Sequence, residues 1–290
     1  MHTYINTAFI DTTEIIDIAQ AADELGYDGL GIPDHVINLA ELDTPYPYTP
    51  DGRRRWPAFT DWPDPWVLIG ALAQCTTHLR FVTTVYVAPL RDPYNAAKTI
   101  GTAAVLSGGR LELGLGVGWC REEFDLMGAP FDKRGKRTEE MIALMRELWS
   151  PGWTQFDGEF YHTPKLEMTP TPPPIPILFG GQSDIAYRRA AAHDGWIGDI
   201  FTIDQATQIA AKLARIREDM GRSLDGFQFH TALVDAVNPD DMDRTERGGV
   251  TAVITQPWMF YHGPDTTLAQ KIDGMVRYCK QFDIEVDHAH

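Results

Sequence analysis

The chain has 290 residues, of which 43% are hydrophobic and 23% are charged. This is enough apolar sequence for a large buried core and too much for a disordered chain. The 41 acidic residues outnumber the 25 Lys and Arg, so the formal net charge is −16. Such a charge repels nucleic-acid phosphates and anionic lipid headgroups, and we therefore expect neither nucleic acid nor a membrane surface as a partner.

The three cysteines, Cys75, Cys120 and Cys279, are widely separated. Their number and spacing argue against a disulfide framework and a zinc site, and no HxH or HExxH motif indicates another metal. The first ten residues lack the basic and apolar regions of a signal peptide, and no run of about 18 apolar residues occurs. We therefore expect a cytoplasmic protein without a metal.

Short runs typical of β-strands alternate with helical patterns along the whole chain. The predicted strands are Thr3–Ile10, Gly29–Ile32, Arg80–Val87, Leu111–Val117, Pro176–Phe179, Gly195–Ile200, Phe227–Val234 and Val250–Thr255. The predicted helices are Thr12–Leu25, Pro65–Gln74, Pro93–Leu106, Arg137–Trp149, Ser183–His193, Asp204–Met220, Pro239–Arg247 and Leu268–Gln281. Several strands are almost continuous apolar runs, as in parallel strands buried on both faces. Eight such units predict one α/β domain over residues 1–290, a closed (β/α)8 TIM barrel, in which the short and highly charged seventh helix is the weakest element.

Two insertions interrupt this alternation. Residues 37–64 follow the second strand and are rich in Pro, Tyr, Trp and Arg. Residues 119–175 follow the fourth strand and contain one predicted helix, a hairpin-like stretch and a proline run. Loops that follow barrel strands lie at the C-terminal face, where the active sites of such barrels form. We therefore expect both insertions to cover the site.

Glycines at positions 114, 116 and 118 lie within the stretch GGRLELGLGVGWCREEF. Their two-residue period is that of a strand, so they share one face and do not form a phosphate-wrapping loop. We expect them to keep that face small for a flat ring, at least near Gly118. The Rossmann, Walker A and GxSxG motifs are absent from the sequence, which argues against those nucleotide sites and against a serine hydrolase.

A phosphate site is predicted at the stretch Gly180-Gly-Gln-Ser183, which follows the fifth strand and begins a helix. The glycines let backbone N–H groups approach a ligand, the serine caps the helix or donates to a phosphate, and the helix dipole attracts an anion. The alternative is a tight strand-to-helix turn with a serine cap. Arg188 and Arg189, one turn later, either assist the anion or are solvated surface charges.

Asp34 and His35 end the segment GLGIPDH after the second strand. A histidine at a barrel mouth transfers a proton or stabilises charge that develops on a substrate or a cofactor ring, and the adjacent Asp34 would orient it. The alternative is a loop histidine satisfied by the backbone. On the third strand, Tyr86 either forms a wall for a flat ring or simply ends the strand.

Five stretches of the chain, taken together and in order, carry a family pattern. They are Ala21–Leu30 with Pro33–His35, Val85–Pro93, Ser107–Trp119, Arg134–Glu140 and Pro176–Ser183. They resemble the bacterial luciferase-like family of flavin and deazaflavin enzymes, and the stretch GRLELGLGVGWCREEF is most similar to its coenzyme F420-dependent oxidoreductases. The likeness covers most of residues 15–200 and is weaker after residue 200.

The resemblance implies a (β/α)8 barrel that commonly forms a homodimer and holds coenzyme F420, or alternatively FMN, at its C-terminal mouth. It implies that His35 lies near the reactive carbon and that a cis peptide bond without proline occurs in the third strand, behind the ring. The residues that we expect to contact the cofactor are Thr84, Val85, Tyr86, Gly118, Trp119, Gly180, Gly181, Gln182 and Ser183.

The leading hypothesis is an F420-dependent oxidoreductase that transfers a hydride between the deazaflavin and a small organic substrate. Some members of this branch carry a proton-donating acid shortly after the fourth strand, where this chain has Trp119, Cys120 and Arg121. Glu122 and Glu123 come slightly later, and Glu122 is the candidate here. The alternatives are an FMN-dependent two-component monooxygenase that uses O₂, and a catalytically silent cofactor-binding protein. A flavin or F420 reductase is the expected supplier of coenzyme.

Aromatic side chains of the first insertion are expected to form a lid over the substrate, or else to lie in a dimer interface. They are Tyr46, Tyr48, Trp56, Phe59 and Trp62. The neighbouring Arg53, Arg54 and Arg55 either meet an acidic substrate or the anionic tail of the coenzyme, or belong to a solvated loop.

Overall fold

Parallel strands close into a barrel in the computed structural model, which describes residues 1–284. The strands are β1 (His2–Asn6), β2 (Gly29–Ile32), β3 (Arg80–Thr83), β4 (Tyr86–Val87), β5 (Leu111–Gly116), β6 (Thr154–Asp157), β7 (His162–Leu166), β8 (Ile177–Gly180), β9 (Gly195–Phe201), β10 (Gln228–Leu233) and β11 (Ala252–Thr255). Strands β3 and β4 together make one barrel position, and the pairing of β3 with β5 closes the ring. The predicted (β/α)8 TIM barrel is confirmed, and β6 and β7 form a separate antiparallel hairpin.

The helices follow the barrel strands in the predicted alternation. They are α1 (Ile15–Leu25), α2 (Pro65–Cys75), α3 (Pro93–Leu106), α4 (Arg121–Met127), α5 (Arg134–Leu148), α6 (Asp184–Ala191), α7 (Ile203–Asp219), α8 (Pro239–Arg247) and α9 (Leu268–Phe282). Helix α8 is present with the predicted bounds because Asn238 accepts a hydrogen bond from the N–H of Asp241 and caps it. The sequence does not predict α4, because its seven residues are too few to show a repeated apolar stripe.

The two insertions follow β2 and β5. Residues 33–64 contain no helix or strand, whereas the segment between β5 and β8 contains α4, α5 and the β6–β7 hairpin. Arg55 ties the first insertion to the barrel, since its guanidinium donates to both carboxylate oxygens of Asp199 on β9, at 2.6 and 2.8 Å. Within residues 1–284, no helix has both the length and the apolar character that crossing a membrane requires.

The glycines of β5 make room for the neighbouring barrel strand. A Cβ atom on Gly114 would lie 1.9 Å from the carbonyl oxygen of Thr83, and one on Gly116 would lie 2.5 Å from the Val85 side chain. The chain itself therefore occupies the space that a Cβ atom on either glycine would need, although Gly116 also borders the cavity described below. Gly118 lies beyond the strand at a φ of +78°, which favours glycine, and it borders the cavity described below.

Polar side chains lie inside the barrel at the level of β1 and β5. Glu112 is 2% exposed, and it accepts hydrogen bonds from the Tyr4 hydroxyl at 3.0 Å and from Arg80 Nε at 2.8 Å. The fully buried His230 packs against Tyr4, with ring centroids 5.1 Å apart. Burial lowers the pKa of His230 to about 4, and burial also lowers the pKa of His193 to about 4. Both histidines are therefore neutral in the folded protein at neutral pH.

The free energy of unfolding is expected to fall as the pH drops from 6.5 towards 4. In this window the unfolded chain binds protons at both histidines and the folded protein does not, so each contributes a slope of about 1.4 kcal/mol per pH unit. Urea denaturation at pH 7 and pH 5 measures the loss. The variant His230→Gln should show a smaller difference between the two pH values, and an unchanged difference would contradict the assignment.

Candidate active site

A cavity of about 550 Å³ opens at the C-terminal mouth of the barrel. This volume lies within the range of roughly 300 to 1,000 Å³ that is usual for small-molecule sites. Residues at or just beyond the C-terminal ends of β1, β2, β3, β4, β5, β8, β9, β10 and β11 line it together with the first insertion. The predicted site residues that line it are Asp34, His35, Tyr48, Trp56, Trp62, Thr84, Val85, Gly118, Trp119, Gly180, Gly181, Gln182 and Ser183.

His35 is held at this cavity by a carboxylate from α4. Its Nδ1 lies 3.1 Å from Oε2 of Glu123, and the other oxygen of Glu123 accepts the N–H of Val36 at 2.7 Å. Burial raises the pKa of the Glu123 carboxyl, but the bonds from His35 and from the backbone outweigh it, so the pKa lies below its usual value. An ionised carboxylate at Nδ1 favours the tautomer with its proton on Nδ1, which leaves Nε2 as the ring nitrogen that accepts a hydrogen bond.

The sequence predicted that Asp34 orients His35. In the structure, Glu123 makes this contact instead. Asp34 forms a bidentate ion pair with Arg91, in which Nη2 donates to Oδ1 at 2.6 Å and Nη1 donates to Oδ2 at 2.7 Å. Its Oδ2 also accepts a hydrogen bond from the N–H of Val87 at 2.9 Å. Its side chain is 1% exposed. Asp34 therefore fixes the turn after β2 against the segment after β4, and it acts on His35 only through the position of this turn.

Glu122 does not line the cavity, and its predicted role as the proton donor is not supported by its position. One of its carboxylate oxygens accepts the N–H groups of Asp43 and Thr44, both at 2.8 Å, which anchors the first insertion to α4. Burial raises the pKa of Glu122, but these backbone bonds outweigh it and lower the pKa to about 2. Burial raises the pKa of the neighbouring Cys120 thiol to about 11, so this cysteine is not a thiolate near neutral pH.

Aromatic rings surround His35 on several sides, and we call this part of the cavity the aromatic end. The His35 ring centroid lies 4.8 Å from Trp62, 5.2 Å from Trp56 and 6.1 Å from Trp119. Tyr46 bridges Trp56 and Trp119, with centroids 5.3 and 5.1 Å away. The residues of the aromatic end are Phe9, Tyr46, Trp56, Trp62 and Trp119, all of which line the cavity.

Two predicted aromatic contacts are wrong. Phe59 is 99% exposed and does not line the cavity, so it is not part of a lid in this structure. Tyr86 is buried but faces away from the cavity, where its ring packs against Trp66 at 4.8 Å and beneath the guanidinium of Arg91 at 4.5 Å. The adjacent Thr84 and Val85 do line the cavity, and a cis peptide bond joins them, as the resemblance implies.

Positively charged side chains and a helix N-terminus line another part of the cavity, which we call the anion end. It consists of the turn Gly180–Ser183, Arg134 and Arg189, all of which line the cavity. A Cβ atom on Gly135 would lie 2.6 Å from Nη2 of Arg189, so that guanidinium rests against the start of α5, beside Arg134. Ser183 caps α6, since its Oγ accepts the N–H of Ala186 at 3.2 Å. This turn therefore combines a helix N-terminus with two arginines.

Arg134 carries the least compensated charge of the anion end. Arg189 donates to Glu139 at 2.6 Å, whereas Arg134 donates to the carbonyl oxygens of Gly118 and Phe131 and contacts no carboxylate among residues 1–284. Burial and the positive neighbours Arg121 and Arg189 hold the pKa of Arg134 below its usual value. A bound anion would compensate this charge.

Sequence reasoning missed the roles of Glu123, Arg134 and Asp199. Glu123 directly follows Glu122, the predicted proton donor, and Arg134 begins one of the stretches that carry the family resemblance. Asp199, the partner of Arg55, lies on β9 without a local motif. Arg188 does not line the cavity in the described part of the chain, whereas Arg189 does, which decides between the two arginines after the turn.

A closed parallel barrel with a small-molecule cavity at its C-terminal mouth defines a TIM-barrel protein whose site is built on loops. The sequence profile of the family described as luciferase-like monooxygenase matches residues 2–270. The chain therefore belongs to the luciferase-like monooxygenase family, which confirms the resemblance seen in the sequence.

Three similar proteins illustrate the range of this likeness. The chain is 42% identical over 261 residues to the uncharacterized protein Rv0940c of Mycobacterium tuberculosis, covering 89% of this chain and 90% of that protein. It is 30% identical over 194 residues to the F420-dependent glucose-6-phosphate dehydrogenase of Gordonia bronchialis, covering 64% of this chain and 53% of that one. The solved coenzyme F420-dependent tetrahydromethanopterin reductase of Methanopyrus kandleri matches with a TM-score of 0.74 and 15% identity over 99% of both chains, a likeness of fold alone. The family and the dehydrogenase relative support an oxidoreductase.

Proposed function

We propose that the protein is a coenzyme F420-dependent oxidoreductase that moves a hydride between the deazaflavin and a small organic substrate. The observation that carries the proposal is the pairing of His35 with Glu123 at a cavity that is also lined by Arg134, Arg189 and the turn Gly180–Ser183. The F420-dependent activity for which the Gordonia bronchialis relative is named supports F420 as the coenzyme.

The residues of the cavity fit such a coenzyme. Among residues 1–284, the N–H groups of Gln182 and Ser183 donate to no protein acceptor, and Arg134 has no carboxylate partner. These groups would hold the coenzyme phosphate, while Thr84, Val85 and Gly118 would border its ring. When bound, the deazaflavin would supply the hydride acceptor or donor.

His35 would handle the proton that accompanies the hydride. When a substrate alcohol is oxidised, the hydride leaves its C–H bond for the coenzyme, the carbonyl group forms, and the hydroxyl proton passes to Nε2 of His35. In the reverse direction, Nε2 returns a proton to the carbonyl oxygen. Glu123 at Nδ1 stabilises the positive charge that His35 carries between these events.

An FMN-dependent two-component monooxygenase is the second candidate, and the name of the matched family favours it. The same anion end would hold the FMN phosphate, and a reductase would supply the reduced flavin. A silent cofactor-binding protein is the third candidate, but the retained His35–Glu123 pair at the cavity argues against it. The homodimer and the supplying reductase stay predictions.

Titration of the purified protein with F420 and with FMN tests the proposal. F420 should bind more tightly than FMN, and Arg134→Gln should weaken F420 binding by roughly 10- to 100-fold, since a hydrogen bond from a charged group is worth about 1.5 to 3 kcal/mol. Arg146→Gln is the matched control, because Arg146 lies on the same helix and pairs with Asp194 at an exposed position. Tight FMN binding with no F420 binding would replace the proposal with the second candidate.

A further inference from the structure

Aromatic rings surround the proposed proton-transfer group, and the buried indole N–H of Trp62 has no hydrogen-bond acceptor among residues 1–284. Three indoles lie within 6.1 Å of the His35 ring centroid, and the Phe9 ring packs against two of them, at 6.1 Å from Trp56 and 5.9 Å from Trp62. The indole N–H of Trp56 donates to Asn38, so the polar atom of this side chain already has a partner. A ligand beside His35 therefore meets faces and edges of aromatic rings.

The charged groups near this end are already paired with one another. Arg55 donates to both oxygens of Asp199, His35 contacts Glu123, and Asp34 pairs with Arg91. The other two arginines that line the cavity, Arg134 and the Glu139-paired Arg189, belong to the anion end, which the proposed coenzyme would occupy. An anionic substrate group at the aromatic end would thus displace an existing ion pair or lie against rings, and both cost free energy.

We infer that the substrate is an uncharged molecule with a flat ring, an aryl or cyclic ketone or the corresponding secondary alcohol. Its ring would pack among Trp56, Trp62 and Trp119 in stacked or edge-to-face contacts, and its one oxygen would lie at Nε2 of His35. This inference rests on the proposed function. It excludes sugar phosphates as good substrates of this chain, although a relative is named for one.

The reaction needs no oxidant or reductant other than the coenzyme and the organic substrate. Oxidation of the secondary alcohol breaks its C–H bond and passes the hydride to the oxidised coenzyme, while the O–H proton passes to His35 and the C=O bond forms. Reduction of the ketone runs the same events in reverse, with the reduced coenzyme as the hydride source. One oxygen atom on the substrate is sufficient for both directions.

Calorimetric titration of the wild-type protein loaded with oxidised F420 tests the inference. The matched ligands are acetophenone and 4-acetylbenzoate, which share the ring and the ketone and differ by one carboxylate, with glucose 6-phosphate as a third ligand. We expect acetophenone to bind at least about tenfold more tightly than either anion. Tighter binding of either anion, or the absence of any acetophenone binding, would overturn the inference.

Variants locate the binding in the same experiment. Trp56→Ala and Trp62→Ala should each weaken acetophenone binding about tenfold, with F420 affinity retained as evidence of an intact fold. Trp153→Ala is the matched control, because Trp153 is 66% exposed and does not line the cavity. Wild-type affinity in both cavity variants would contradict the inference. If either cannot be folded, the comparison of acetophenone with 4-acetylbenzoate decides alone.

The outcomes separate this inference from the proposed function. If the protein binds FMN and not F420, the F420 proposal fails and the titrations are repeated with FMN. Preferred binding of acetophenone would then still support the inference that the substrate is uncharged and carries a ring. If F420 binds and hydride transfer occurs only with carboxylated or phosphorylated substrates, the substrate inference fails while the proposed function stands.

Discussion

Replacing His35 with alanine is expected to lower kcat by about 10²- to 10⁴-fold, the usual contribution of a positioned acid or base. The variant loses the only imidazole that lines the cavity within residues 1–284, while the anion end keeps its donors. The dissociation constant of the coenzyme should therefore change little. Steady-state kinetics of hydride transfer and a parallel coenzyme titration measure the two effects separately.

Glu123 and His162 provide the comparisons for this result. Glu123→Gln keeps a hydrogen-bond acceptor near Nδ1 but removes the negative charge beside His35, so it should lower kcat less than His35→Ala does. His162→Ala should leave kcat unchanged, because His162 pairs with Asp157 on the exposed hairpin away from the cavity. Full activity of His35→Ala would refute the assigned role of His35.

Replacing Asp34 with alanine is expected to lower the free energy of unfolding by about 3 to 5 kcal/mol, as when one partner of a buried ion pair is removed. The variant leaves the guanidinium of Arg91, which is 18% exposed, without its carboxylate, and it leaves the N–H of Val87 without its acceptor. Urea denaturation at neutral pH measures the change.

The control for Asp34 is an ion pair on the surface. Asp51→Ala removes the partner of Arg53 at a site where the two side chains are 63% and 88% exposed and 4.0 Å apart, so the free energy of unfolding should change by less than about 0.5 kcal/mol. The double variant Asp34→Ala with Arg91→Met should recover part of the lost stability, because it removes the unpaired charge. Equal stability of Asp34→Ala and wild type would show that the buried pair contributes nothing.

Strands and helices were predictable because their signals are local. Apolar runs of four to six residues, separated by helical stretches with Asp, Ser, Thr or Asn at their starts, recur at the observed barrel strands and helices. The turn Gly180–Ser183 and the segment Pro33–His35 follow such strands, and the ends of parallel barrel strands meet at one face. Their common location at the cavity therefore follows from the order of elements alone.

The partners of these residues were decided by contacts between distant parts of the chain. Glu123 lies 88 residues from His35, and Arg91 lies 57 residues from Asp34, so no local pattern distinguishes Glu123 from Glu122 or tells which carboxylate orients the histidine. The same holds for side-chain direction in the first insertion, where Trp56 is buried at the cavity and Phe59 faces solvent. Composition and periodicity are sufficient for the barrel and its open face, whereas the pairing of charges and the enclosure of His35 by indoles depend on how the loops pack over that face.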